Sequence, residues 1–227
     1  MKFKNIALST VLALFAVGCS SEDNYSEPKS SIEGGIYDLS NKDQLIPAQA
    51  PDGARIRMFE GDVSQSENFW CKSDGSFENK RVFPAFYRII PEGPFIVAET
   101  DTVKIDIPAK EKINFYVEPY LRIHLKGDLS NGEKDINYEF SIEKSSKWDG
   151  QLNQYTILYS TTAHIDANSF QKNNIVEVTA DQESEVLGKT IKATIKDIQP
   201  NRPVYIRIGA RTTGTDYYNY SETIKLK

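Results

Sequence analysis

The 227-residue chain is 39% hydrophobic, 26% charged and 11% aromatic, a globular composition that excludes a disordered, collagenous or multispanning membrane protein. Its formal charge of −5 argues against a basic footprint, so no nucleic-acid partner is expected. Two cysteines and two histidines are too few for a disulfide framework or a Cys/His zinc cluster, and no cofactor or metal is indicated.

Lys2 and Lys4 precede an apolar run from Ile6 to Val17. At about 12 residues it falls short of the roughly 20 that a bilayer-spanning helix needs, so residues 1–18 read as a signal peptide. The run ends in Ala16-Val17-Gly18-Cys19, which resembles the lipobox of bacterial lipoproteins: small residues admit the peptidase and the cysteine takes the lipid. That resemblance implies cleavage before Cys19 and a partner in outer-membrane lipid, with the protein anchored rather than spanning. Each buried lipid methylene contributes about 0.8 kcal/mol, so two or three acyl chains hold it durably. Cleavage removes two basic and no acidic residues, which takes the formal charge from −5 to −7.

Residues 19–30 are polar and acidic without apolar periodicity, the pattern of a flexible tether. Ser20-Ser21-Glu22-Asp23-Asn24 resembles the surface-export signal of Bacteroidetes lipoproteins, which implies the outer face of the outer membrane; the periplasmic face is the alternative.

From Ser31 onward the period is two. Arg55-Ile56-Arg57-Met58, Val103 to Ile107, Ile113 to Val117 and Leu121 to Leu125 alternate apolar with polar, as half-buried strands do. Asp52-Gly53, Asp74-Gly75, Gly93-Pro94 and Asn131-Gly132 supply the turns. After Gly127 the pattern resumes in Ile136-Tyr138-Phe140-Ile142, Ile191-Ala193-Ile195 and Val204-Ile206-Ile208-Ala210. No long helical stripe occurs. The expected fold is all-β: two tandem antiparallel β-sandwich domains, 31–125 and 126–227, after the signal peptide and tether. The polar stretch Lys126 to Asp135 marks the boundary, with one nearer Pro119 left open.

In the first half, Ile32-Glu33-Gly34-Gly35-Ile36-Tyr37-Asp38, Asp74-Gly75-Ser76-Phe77 and Phe86-Tyr87-Arg88-Ile89 are similar to the transthyretin-like regulatory domain found beside carboxypeptidases. In the second, Ile198-Gln199-Pro200 and Ile206 to Ala210 resemble the end of a fibronectin type III domain, although Val204 stands where that family has its corner tyrosine. With the lipobox and the joining segment Phe115-Tyr116-Val117-Glu118-Pro119-Tyr120-Leu121-Arg122-Ile123, the chain resembles a family of Bacteroidetes surface lipoproteins of unknown function encoded beside SusC/SusD-like pairs. The resemblance implies a non-catalytic accessory role in polysaccharide uptake, with a polysaccharide or a SusC/SusD-like complex as partner.

For catalysis the chain offers no Gly-x-Ser-x-Gly, phosphate-binding glycine loop or His-Glu-x-x-His. His124 and His164 read as surface or hydrogen-bonded residues, Cys71 as a buried small hydrophobe, and acid pairs such as Asp101 and Asp106 as solvated strand faces. An enzyme is not expected. For binding, sugar C–H faces pack on aromatic rings while amides and acids take the hydroxyls. Candidates are Tyr217, Tyr218 and Tyr220 in the 212–220 loop, and Trp148 beside Asp149-Gly150; the other reading puts Tyr220 in a strand and Tyr218 beneath the loop. Trp70 is expected in the core. Arg207 and Arg211 share one strand face, where they would meet acids of a neighbouring strand or an anionic glycan. Asp101-Thr102-Val103 resembles the O-glycosylation signal of exported Bacteroidetes proteins, which marks Thr102. Two functions follow from these features: an accessory glycan-binding protein, or an assembly subunit that docks on a SusC/SusD-like complex without binding glycan.

Overall fold

Alternation becomes strand wherever a second layer covers the apolar face, and here it does so twice. A computed structural model describes residues 27–126, 135–198 and 202–226; the signal segment, the lipobox with Cys19, most of the tether and Gln199-Pro200 lie outside the described residues.

The first unit contains β1 (Ser30–Asp38), β2 (Asn41–Leu45), β3 (Arg55–Glu60), β4 (Glu67–Trp70), β5 (Ser76–Val82), β6 (Phe86–Glu92), β7 (Phe95–Ile96), β8 (Val103–Asp106) and β9 (Lys110–Pro119). One sheet runs β2-β1-β9-β7 with β5 also on β1, and the other runs β4-β3-β6-β8. Ile32, Ile36, Ile56, Phe77, Ile89, Phe95, Phe115 and Val117 fill the space between them, all 3% exposed or less.

The second unit contains β10 (Leu121–Lys126), β11 (Ile136–Lys144), β12 (Leu152–Ser160), β13 (Lys172–Glu177), a one-turn α1 (Glu183–Val186), β14 (Ile191–Ile195), β15 (Tyr205–Thr212), β16 (Asn219–Tyr220) and β17 (Ile224–Lys225). Its sheets are β10-β11-β14 and β13-β12-β15-β16, with β17 also on β15. In β11, Ile136, Tyr138, Phe140 and Ile142 are buried while Asn137 and Glu139 are not, and they face Ile157, Ile206, Ile208 and Ala210 in one core.

The all-β class is as expected, with three corrections. The pair β1–β9 is parallel, from Ser31↔Lys110 to Asp38↔Val117. Parallel pairing needs a long crossover, and the whole second sheet of this unit lies between the two strands. The boundary falls at Pro119–Tyr120 rather than 125/126, because β10 pairs with β11 and Leu121 is buried in the second core. Trp70 is 39% exposed: Ile56 pairs with Phe69 on the inner face, so Trp70, opposite Arg55, is turned outward.

Candidate functional site

The junction between the two sandwiches is built from β15 and the segment that follows it. Ile206, Ile208 and Ala210 point into the second core, so Arg207 and Arg211 lie on the opposite face of the strand, and Arg207 reaches the first unit. Arg207 is 1% exposed. Its Nε donates to Ser221 O at 3.2 Å and Nη1 to Ile165 O at 2.9 Å, while Nη2 donates to Ala48 O at 3.1 Å and Ser73 O at 2.9 Å. The last two carbonyls belong to the first unit. The guanidinium lies 4.2 Å from the Tyr220 ring centroid, and burial lowers its pKa to about 10. The expectation that Arg207 meets a glycan is therefore overturned: every nitrogen is spent on backbone carbonyls inside the junction.

Around this arginine other contacts cross the same boundary. Tyr220 Oη donates to Gln49 Oε1 at 2.9 Å, Ala50 N donates to Asp166 Oδ2 at 3.3 Å, and Asn219 Nδ2 donates to Pro94 O at 2.9 Å. Arg122 of β10 binds both carboxylate oxygens of Asp38, at 2.6 and 2.8 Å, and Glu118 at 2.8 Å.

At the junction lies an open groove of about 500 Å³, lined by Ile96 and Val97 from the first unit, the linking Tyr120, Lys147 to Gly150, and Thr213-Gly214. Tyr120 and Trp148 stack on its floor with ring centroids 3.8 Å apart and planes 19° apart. Trp148 Nε1 donates to Thr212 Oγ1 at 2.7 Å. Gly150 is required at the loop's end, because a Cβ there would collide with the indole and with Thr213 O. Tyr120 is fixed through its backbone, its N donating to Pro94 O at 3.1 Å and its O accepting from Ser145 N at 3.0 Å. Burial, with Tyr217 nearby, raises the Tyr120 phenol pKa. Tyr217 Oη donates to Glu92 Oε1 at 3.1 Å, which carries the polar-aromatic surface onto the first unit. Stacked rings fringed by Lys147, Asp149 and Thr213 offer the apolar face and hydrogen-bonding groups that a sugar ring needs.

The sequence-derived candidates separate accordingly. Trp148 lines the groove and Tyr217 stands half-buried next to it. Tyr218 is half-buried, its Oη bonded to Gln154 Oε1 at 2.8 Å and its ring under the Arg211 guanidinium at 5.3 Å. Tyr220 is 4% exposed and offers no ring face to a ligand. Thr102 is half-buried at the start of β8, with its N donating to Glu99 O. Cys71 is 2% exposed, and burial pushes its thiol up to about 12. His124 and His164 lie at the surface, 3.4 Å from Glu143 and 3.5 Å from Asp166. Tyr120 was not among the sequence-derived candidates: the alternating runs 113–117 and 121–125 keep one phase, with apolar residues at odd positions, and nothing in that pattern sets Tyr120 apart. Among the described residues no group of His, Cys, Asp and Glu is arranged to hold a metal ion.

Residues 124–225 match the family model described as a domain of unknown function, DUF3823_C. Solved DUF3823 family proteins share the fold across both units. One from Bacteroides uniformis superposes with a TM-score of 0.77 at 19% identity, covering 88% of this chain and 99% of its own. One from Parabacteroides merdae gives 0.71 at 19% identity, covering 89% and 100%. A further Bacteroides uniformis structure, described as that of a candidate carbohydrate-binding protein, gives 0.70 at 18% identity, covering 88% and 99%. No curated protein sequence matches the chain.

Proposed function

We propose that this chain, whose residues 124–225 match the DUF3823_C family model, is a non-catalytic glycan-binding accessory lipoprotein, anchored through Cys19 and facing the cell exterior beside a SusC/SusD-like polysaccharide importer. The observation that carries the reading is the stacked Tyr120–Trp148 pair lining an open groove at the domain junction. The lipobox-like Ala16-Val17-Gly18-Cys19 and the acidic tether support the location. The name of the Bacteroides uniformis relative points the same way.

Affinity electrophoresis of the mature chain through gels containing a panel of polysaccharides tests it. Retardation by at least one polymer is expected, with loss in Trp148→Ala after its fold is checked by circular dichroism. Unretarded migration of folded wild-type protein through every polymer would refute the reading. Docking without glycan binding is the second reading, supported by the open edge of β13, where Ile175 is 49% exposed. It predicts co-purification with a SusC/SusD-like pair that Trp148→Ala leaves intact. Protease accessibility on whole cells tests the outward orientation.

A further inference from the structure

The outer face of the β4-β3-β6-β8 sheet is electropositive in an otherwise acidic chain. Strand register puts Arg55, Arg57 and Phe59 of β3 on that face, with Trp70 of β4 opposite Arg55, Arg88 of β6 opposite Phe59, and Lys104 of β8 opposite Arg88. Glu92 and Asp106 share the face, which leaves four basic against two acidic side chains.

The three guanidiniums are laid on aromatic rings. Arg55 sits 5.6 Å from the Trp70 ring centroid, and Arg57 and Arg88 each sit 5.1 Å from that of Phe59. Such contacts hold a guanidinium in place without neutralising its charge. Glu92 engages Arg55 at 2.5 Å and Arg57 at 3.5 Å. Arg88 bonds only carbonyls, Gly61 O at 3.3 Å and Val63 O at 3.2 Å. Lys104 is exposed and has no carboxylate partner among the described residues.

We infer that this face binds the carboxylate or sulfate groups of an anionic polysaccharide, with Trp70 as a second stacking surface, as an extension of the Tyr120–Trp148 groove. The inference rests on the glycan-binding reading and adds the ligand's chemical class. Two arguments select that occupant. The first is charge complementarity: planar oxyanions pair with fixed guanidinium forks in two-point hydrogen bonds. The second is continuity: Tyr217, beside Tyr120, bonds Glu92, which bonds Arg55, which lies over Trp70. A polymer threaded from the groove along this path meets alternating rings and cations.

The test compares polygalacturonate and chondroitin sulfate with a neutral glucan and a neutral xylan, and includes phosphatidylglycerol vesicles, all against the mature chain. The acidic polymers are expected to bind more tightly and to lose affinity steeply with added salt. Arg57→Gln combined with Arg88→Gln should weaken that binding by at least about tenfold. Because Arg88 also holds the Gly61–Val63 turn, Lys104→Glu serves as a second variant at an exposed side chain with no carboxylate partner among the described residues; about a threefold loss is expected from one rim charge. Neutral polymers bound as tightly as acidic ones, or acidic affinity unchanged in both variants, would overturn the inference and leave the glycan-binding reading standing. Failure of every polymer would remove both. Binding to the vesicles alone would show an anionic lipid surface in place of a glycan.

Discussion

Arg207→Met tests whether the two sandwiches behave as one body. Methionine approximates the volume and unbranched shape of the arginine stem, so the change removes charge and donors with little effect on packing. The native guanidinium makes four hydrogen bonds to carbonyls, two of them across the boundary to Ala48 and Ser73. Hydrogen bonds involving a charged group contribute about 1.5–3 kcal/mol each, and the two across the boundary therefore represent about 3–6 kcal/mol of coupling between units. Removing the charge also relieves the cost of burying it, while each carbonyl left without a donor costs about 1–3 kcal/mol, so a net loss of about 3–5 kcal/mol is expected. That is comparable to a large fraction of a domain's whole stability. Trp70 belongs to the first unit and Trp148 to the second, so single-tryptophan proteins (Trp148→Phe and Trp70→Phe) report each unit separately during guanidinium unfolding. The parent should give coincident transitions and Arg207→Met two separated ones at lower denaturant. Coincident transitions with an unchanged midpoint in Arg207→Met would refute the argument that this arginine couples the units.

Other outcomes follow from the same geometry. The Cys71 thiol, buried with its pKa pushed up to about 12, should resist a disulfide probe at pH 8 in a form starting after Cys19 and react fully in denaturant; rapid labelling of the native state would contradict its burial. Glu118 sits below its ordinary value of 4.5 because Arg122 bonds its charged form. Asp38 sits below 3.8 although burial pushes the other way, because Arg122 and Ser40 together outweigh it. Lowered folded values mean that this stabilisation is complete above the unfolded values and is lost as pH falls through the folded ones. Asp38→Asn should therefore show a smaller drop in urea midpoint between pH 7 and pH 3 than the parent, and an equal drop would count against the Arg122 network. Gly150→Ala forces a methyl against the Trp148 indole and Thr213 O, and a destabilisation of about 1–3 kcal/mol with a shifted indole emission is expected; unchanged melting and emission would mean that the loop is not held as described.

Much of the fold was legible because a two-residue period survives any topology: Ile113, Phe115 and Val117 of β9 and the apolar residues of β11 are the buried ones. What stayed hidden depends on partners distant in sequence. The parallel register of β1 with β9 joins positions about 80 residues apart, and nothing within either strand announces its direction. Trp70 was misplaced because β4 is short and carries Phe69 beside it, so two adjacent aromatics left the phase undetermined. Arg207 read as a partner for acids of a neighbouring strand or for an anionic glycan because its strand face is polar, but that face is roofed by the segments around Ala48 and Ser73. The candidate site divided for the same reason. A tyrosine-rich loop reads as a recognition surface from sequence, while the structure spends Tyr220 on the junction, keeps Tyr217 and Trp148 at its rim, and adds Tyr120, whose role exists only where two domains meet.

The junction bears directly on how the groove would work. Domains joined by a short linker and an ordinary polar interface move relative to one another by default, and a ligand that touched both would have to hold them together at the expense of affinity. Here the link is a single residue, Tyr120, between β9 and β10, and that residue is also half of the aromatic floor. Its backbone is tied to Pro94 on one side and Ser145 on the other, while Arg207, Asn219 and Arg122 lock the units around it. The orientation of the stacked pair is thereby set before any ligand arrives, and the polar path from Tyr217 through Glu92 to Arg55 keeps a constant length. A loosened junction should thus reach the binding site without touching it: in Arg207→Met, polymers that contact both units should lose affinity even though none of the groove's own side chains has changed.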